Sequence, residues 1–222
     1  MKKFLFQWRH ILLLLYFPIY LAWFGWLQGR TDVTHTMMYC KLDDLIPFCE
    51  YFVVPYLLWF GYVFLAMAFF FFVSPREFVQ ACIFLFIGMT TCLFIYTVLP
   101  NGQALRPYPE HENWAMFLIN MLWDMDPAIN VCPSVHAYNS IGVHIAIWRS
   151  PDLKNKPVIR YGSLILCILI IISTVCLKQH SLLDVFAAMV LAVPVYFLTY
   201  RRRKPCFLET ALSDAPGGSH EL

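Results

Sequence analysis

Backbone amides cannot be left unpaired in hydrocarbon, so long apolar segments confine a chain to membrane-crossing helices. Five segments here, residues 11–27, 51–73, 78–99, 161–177 and 182–200, are apolar over 17 to 23 residues. A helix of about 20 residues (range 17–25) crosses about 30 Å of hydrocarbon, so each of the five is long enough to span. A sixth segment, residues 135–148, is shorter; Gly142 and His144 lie in its otherwise apolar run, which opens in a polar motif. Counting it, the expected fold is all-α, an integral membrane bundle of six transmembrane helices. With 60% hydrophobic and 14% charged residues, against about 45–50% and about 25% in soluble domains, the chain has no room for a second folded domain. The expected layout is one six-span domain over residues 1–204 and a disordered cytoplasmic tail over residues 205–222. The net charge of +2 gives no reason to expect nucleic acid as a partner.

Lys and Arg concentrate in cytoplasmic loops, and their distribution orients the bundle. A cytoplasmic N-terminus puts twelve of them inside and leaves four, Arg30, Lys41, Arg106 and Lys178, outside. Both termini are therefore expected in the cytoplasm of a multi-pass plasma-membrane protein, with outer loops at residues 28–50, 100–134 and 178–181. Lys2, Lys3 and Arg9 ahead of the first apolar run resemble a signal peptide, but no small-residue cleavage site follows, so the first span is expected to be retained. Cys82, Cys92, Cys167 and Cys176 fall within spans, where cysteine behaves as a small hydrophobe. Cys40, Cys49 and Cys132 fall on the outer side and leave room for one disulfide.

Ionisable groups within or beside spans are costly in lipid, so each marks a candidate site. Arg106-Pro107 follows the third span, Pro133-Ser134-Val135-His136 opens the fourth, His180 and Asp184 open the sixth, and Asp43, Asp44 and Glu50 precede the second. His180 and Asp184, spaced i, i+4, share one helix face, where the carboxylate fixes one imidazole nitrogen and leaves the other as a nucleophile or base. His136 supplies a second imidazole at the same depth. Arg106 offers a planar donor fork for phosphate, and the amides around Ser134 at a helix N-terminus suit an anion. Structural readings stand beside these. His180 and Asp184 could anchor a helix end, Arg106 could snorkel to headgroups, and Pro133-Ser134 could simply cap a helix. The acidic cluster reads first as a solvated loop and second as an entrance collar or a re-entrant segment, and His144 as a buried hydrogen-bonding residue. No metal-ligand motif is present.

The order RP, PSxH and HxxxD on the outer side of a six-span chain resembles the type 2 phosphatidic acid phosphatase superfamily of membrane lipid phosphatases. The motifs cover about residues 99–184, and the layout covers nearly the whole chain. The resemblance implies His180 as nucleophile, Asp184 as its orienting carboxylate and His136 as the acid for the leaving oxygen. It implies that Arg106 and Ser134 hold the phosphate, and that the reaction needs no metal and no other cofactor. Three positions depart from the family pattern. Leu99 stands where a lysine precedes the RP arginine by seven residues, Val135 replaces a glycine, and Thr174 follows Ser173 where an arginine is usual. Lys178 could restore one missing phosphate-binding charge. The reduced set is similar to the branch containing the sphingomyelin and inositol phosphorylceramide synthases.

The expected function is metal-independent hydrolysis of a lipid phosphomonoester or pyrophosphate through a phosphohistidine at the extracytoplasmic face, the partners being a lipid phosphate and the bilayer. A lipid headgroup phosphotransferase and a non-catalytic lipid-phosphate binder or transporter are the alternatives.

Overall fold

The computed structural model describes residues 9–30, 32–107 and 112–201. A 3-10 segment, Arg9–Leu15, runs into α1, Tyr16–Gln28. Beyond a long connection come α2, Val53–Val73, and α3, Pro75–Val98, joined by Ser74 alone. A short α4, Trp114–Met125, precedes α5, Val135–Arg149, α6, Pro157–Cys176, and α7, Leu182–Tyr200. Pro75 and Pro157 sit in the first turns of α3 and α6, where a missing N–H costs nothing.

Five helical stretches, His10–Gln28, Glu50–Val73, Pro75–Val98, Pro157–Cys176 and Leu182–Tyr200, are long and apolar enough to cross a membrane. Their outward faces carry exposed Phe64, Phe72, Ile165, Phe186 and Val190, a surface that suits lipid and not water. The segment expected as a fourth span is α5, whose 15 residues reach about 22 Å at 1.5 Å per residue, short of the hydrocarbon thickness. Its composition has a physical reason. Helix α5 packs against α2, α3, α6 and α7 together, so Asn139 and Ser140 meet protein rather than lipid and His144 is half-buried. His144 Nδ1 lies 3.1 Å from Ser163 Oγ, which is itself 2.7 Å from the Tyr62 hydroxyl, so His144 is the hydrogen-bonding residue expected, although it is half-buried and not buried.

The outer loop expected at residues 100–134 is more ordered than its polarity suggests. It holds α4, capped by the Asn113 side chain, which accepts from the Met116 N–H at 2.9 Å. It also holds β2, Asn101–Gly102, which pairs in parallel with β1, Thr36–Met37. An isolated antiparallel bridge joins Gly102 to Ile129. This small sheet is an addition to the all-α expectation. Cys40, Cys49 and Cys132 are free thiols, so the disulfide that their placement allowed is not formed. The cytoplasmic placement of the termini and the disordered tail at residues 205–222 fall on residues outside those described.

The core lies where α5 crosses α3. The Tyr138 ring stacks on Phe84 with centroids 5.0 Å apart, and its hydroxyl donates to the Phe84 carbonyl at 2.8 Å. That approach requires Gly88, because a Cβ there would lie 1.9 Å from the Tyr138 ring, and Gly142, where it would lie 2.6 Å from Phe84. Gly88→Ala is expected to cost about 1–3 kcal/mol through overpacking. Gly25→Ala and Gly61→Ala, whose added methyls meet nothing within 4 Å, should cost nothing. Unfolding temperatures of the three variants in one detergent check this, and equal values would show that the α3–α5 contact is not under steric constraint.

Candidate active site

The site assembles where the starts of α5 and α7 meet. Ser181 caps α7, its hydroxyl accepting from the Leu183 N–H at 3.2 Å, and the Asp184 carboxylate returns to the Ser181 N–H at 2.9 Å. The same Asp184 Oδ2 lies 3.2 Å from His180 Nδ1. One carboxylate therefore both closes the helix start and holds the imidazole, with the Nε2 edge left for chemistry. Asp184 is fully buried and its Oδ1 has no partner among the described residues.

The loop ahead of α5 is held by a single buried side chain. Asn101 Oδ1 accepts from the Val131 and Cys132 N–H groups at 2.9 and 2.8 Å, while its Nδ2 donates to the carbonyls of Leu99 and Cys132 at 3.0 and 2.9 Å. The Tyr96 hydroxyl donates to the Pro133 carbonyl. The Ser134 N–H then donates to the Asp184 carbonyl at 3.0 Å, which joins the two helix starts. The Ser134 hydroxyl accepts from the Ala137 N–H at 3.3 Å as the cap of α5. One residue into α5, the His136 ring lies 5.8 Å from the His180 ring, centroid to centroid, against Trp59 at 4.4 Å and Tyr56 at 4.8 Å. The Cys132 thiol, beside Asp184, is pushed up to about 12 by burial and by that carboxylate, and stays neutral.

Arg106 reaches this end of the bundle. Its Nη2 donates to the Asp126 carbonyl at 2.6 Å and to Gln179 Oε1 at 2.9 Å, its guanidinium lies 5.4 Å from the Trp123 ring, and its buried Nε has no acceptor among the described residues. Burial lowers the guanidinium's pKa, and Asp126 and Tyr56 oppose the shift. Burial raises the Asp126 carboxyl above the usual range, against the pull of His180, Arg106 and a hydrogen bond from Gln28.

Beside the histidines, a groove of about 590 Å³ runs between α1, α2, α3 and the start of α5. That volume falls within the range of about 300–1,000 Å³ typical of ligand sites. Phe17, Tyr20, Phe64, Met67, Phe78 and Phe86 line it, with Val135 and Asn139 at its inner end. Trp59 lines the groove and also lies against His136, so this indole stands between the groove and the polar site.

Five of the six residues expected at the site, His180, Asp184, His136, Arg106 and Ser134, gather at this end of the bundle. Lys178 faces elsewhere. Its Nζ donates to the carbonyls of Asp43 and Ile46 at 2.7 and 2.6 Å, which commits the ammonium to holding a loop. Asp43 is neither solvated nor a collar. It is 1% exposed, and its carboxylate accepts from the Ser181 hydroxyl at 2.6 Å, the Leu182 N–H at 2.9 Å and the Cys40 N–H at 2.8 Å. Sequence reasoning also passed over Gln179, Asp126 and Asn101. A polar residue beside each motif was the one available signal, and the partners that give these residues meaning are remote in sequence.

The architecture and the site together define a membrane helix bundle with a histidine–aspartate pair, a facing histidine and an arginine at one end, and an apolar groove beside it. A family model of the PAP2 superfamily matches residues 105–207, a stretch that holds all five of the gathered residues. That match supports membership of the type 2 phosphatidic acid phosphatase superfamily, whose members are in general phosphatases. No curated protein and no solved structure gives a significant match.

Burial raises the pKa of Asp43, but the hydrogen bonds from Leu182, Ser181 and Cys40 outweigh it and hold the carboxyl below its ordinary 3.8. A carboxyl with a depressed folded pKa stabilises the protein above its unfolded pKa, and that contribution is lost as pH falls through the folded value. Asp43→Asn is therefore expected to lower the unfolding temperature at neutral pH, by a margin that narrows below about pH 4. Thermal unfolding of both proteins across pH 3 to 7 checks this, and a margin independent of pH would mean that the carboxylate's charge contributes nothing.

Proposed function

We propose that the protein is a metal-independent lipid phosphatase that hydrolyses a phosphomonoester or pyrophosphate through a phosphohistidine on His180, with its site on the extracytoplasmic face of the plasma membrane. The observation that carries the reading is the His180–Asp184 pair at 3.2 Å facing the His136 ring at 5.8 Å. Asp184 holds Nδ1, so Nε2 presents its lone pair to phosphorus. As the His180 N–P bond forms, the P–O bond to the lipid breaks and the departing oxygen takes a proton from His136. A phosphate dianion beside His136 supplies the negative charge that keeps this proton on the imidazole until transfer. His136 then takes a proton from water as the water oxygen attacks phosphorus, the N–P bond breaks, and inorganic phosphate leaves. Arg106 and the amides around Ser134 stabilise the charge spread over the equatorial oxygens.

The lipid nature of the substrate is supported by the apolar groove, whose wall residue Trp59 packs against His136. The extracytoplasmic placement is supported by the Lys and Arg asymmetry, twelve against four.

Purified protein in detergent, with a chelator present, should release phosphate from one or more members of a panel of lipid phosphates. His180→Ala should abolish release, Asp184→Asn should reduce it greatly, and His136→Ala should slow it by about 10²–10⁴-fold. Full activity in the His180 or Asp184 variant would overturn the mechanism. Headgroup transferred to a second lipid, with no free phosphate, would reassign the protein as a phosphotransferase.

A further inference from the structure

The family pattern places cations at positions occupied here by Leu99 and Thr174. Neither supplies a substitute. Leu99 is exposed, and Thr174 is buried with its hydroxyl bonded to the Ile171 carbonyl at 2.7 Å. The residue immediately before the nucleophile stands in a different situation. Gln179 is 3% exposed, and its Oε1 accepts from Arg106 Nη2 at 2.9 Å. A guanidinium only donates, so this bond fixes the amide orientation, with oxygen toward Arg106 and the NH2 group turned the other way. That Nε2, like the adjoining Arg106 Nε, is buried and has no acceptor among the described residues. Two buried donors left unpaired on linked side chains are costly unless an acceptor joins them. A phosphate oxygen is an acceptor that suits both donors.

We propose that Gln179 is a phosphate ligand, its Nε2–H and the Nε–H of Arg106 receiving oxygens of the substrate's phosphoryl group in place of the missing cations. The proposal rests on reading this site as a phosphoryl-transfer centre. The backbone positions the amide for the task. The N–H groups of Gln179 and His180 both donate to the Thr174 carbonyl, at 3.0 and 3.1 Å, so the amide and the nucleophile leave one turn side by side. The preceding residue is held from both sides, Gln103 Nε2 donating to the Lys178 carbonyl at 2.7 Å while Lys178 Nζ is tied to Asp43 and Ile46. A preorganised neutral donor stabilises the charge on equatorial oxygens without adding a cation.

Two variants separate a ligand from a strut. Gln179→Glu keeps an oxygen for Arg106 and replaces the donor with an anion. Gln179→Ala removes both. If Gln179 binds phosphate, kcat/KM on the best lipid phosphate and affinity for orthovanadate should rank wild type above Ala above Glu, with Glu weaker than wild type by about 10- to 100-fold. If it only positions Arg106, Glu should match wild type and Ala should fall, which overturns the proposal. Should the Glu variant not fold, unchanged vanadate inhibition in Gln179→Ala overturns it by itself. Should the wild type hydrolyse nothing, the phosphatase reading fails separately. Thermal stabilisation of the wild type by orthovanadate or inorganic phosphate, lost in Gln179→Ala, would still support the anion site, and no stabilisation of the wild type by either would overturn it.

Discussion

A single main-chain bond, from the Ser134 N–H to the Asp184 carbonyl, fixes the starts of α5 and α7 against each other. Everything chemical follows from that joint. His136 stands two residues after the donor, and His180 stands four residues before the acceptor, so the spacing of their rings is set by backbone and not by long flexible side chains. Asn101 secures the chain on one side of the joint and Asp43 on the other, each through a buried side chain that satisfies several groups at once. A rigid frame of this kind is what a nucleophile and a proton donor need if they are to meet one phosphorus atom.

The same end of the bundle shows how buried polar groups are tolerated in an apolar protein. Most are satisfied by backbone. Among the described residues no carboxylate pairs with Lys178; its ammonium lies among carbonyl oxygens, while the carboxylate of Asp43 lies among N–H and O–H donors at the start of α7. The helix dipole adds to that second arrangement, since an anion at a helix N-terminus is stabilised. Three of the buried polar atoms without a partner among the described residues, Gln179 Nε2, Arg106 Nε and Asp184 Oδ1, belong to residues at the proposed reacting centre. The Trp59 and Trp123 indole nitrogens border the same region, whereas Arg160 Nε, Thr199 Oγ1 and the Tyr200 hydroxyl, equally without partners among the described residues, lie toward the opposite end of the bundle.

Much of this was legible in the sequence, and the reasons differ by element. The sixth apolar segment, residues 182–200, coincides with α7, because Ser181 and Asp184 form a capping box that marks its start. The RP, PSxH and HxxxD motifs picked out five residues that the structure gathers at one end of the bundle, because each motif is local. Helix α4 was missed inside a loop judged by its flanking polarity, although Asn113 followed by an apolar run is a start signal. Asp43 could not be read, since its partners lie 138 and 139 residues away and nothing nearby announces them. Lys178 was misplaced for a related reason: proximity in sequence to His180 says nothing about direction, and at φ 54 the backbone there turns into the left-handed region. Segment 135–148 was expected as a span on its pattern, yet its length and polarity suit a helix enclosed by others.

That enclosure bears on how the chain enters a membrane. A helix carrying His136, Asn139, Ser140 and His144 has little tendency to partition into lipid by itself. Helix α5 is made favourable there by α2 and α3, synthesised before it, and by α6 and α7, synthesised after it. Its stable residence therefore waits on segments that have not yet left the ribosome when it emerges, so the chain from residue 134 onward is one unit for biogenesis, and a truncation that spares both histidines would still leave the first of them without a place to stand.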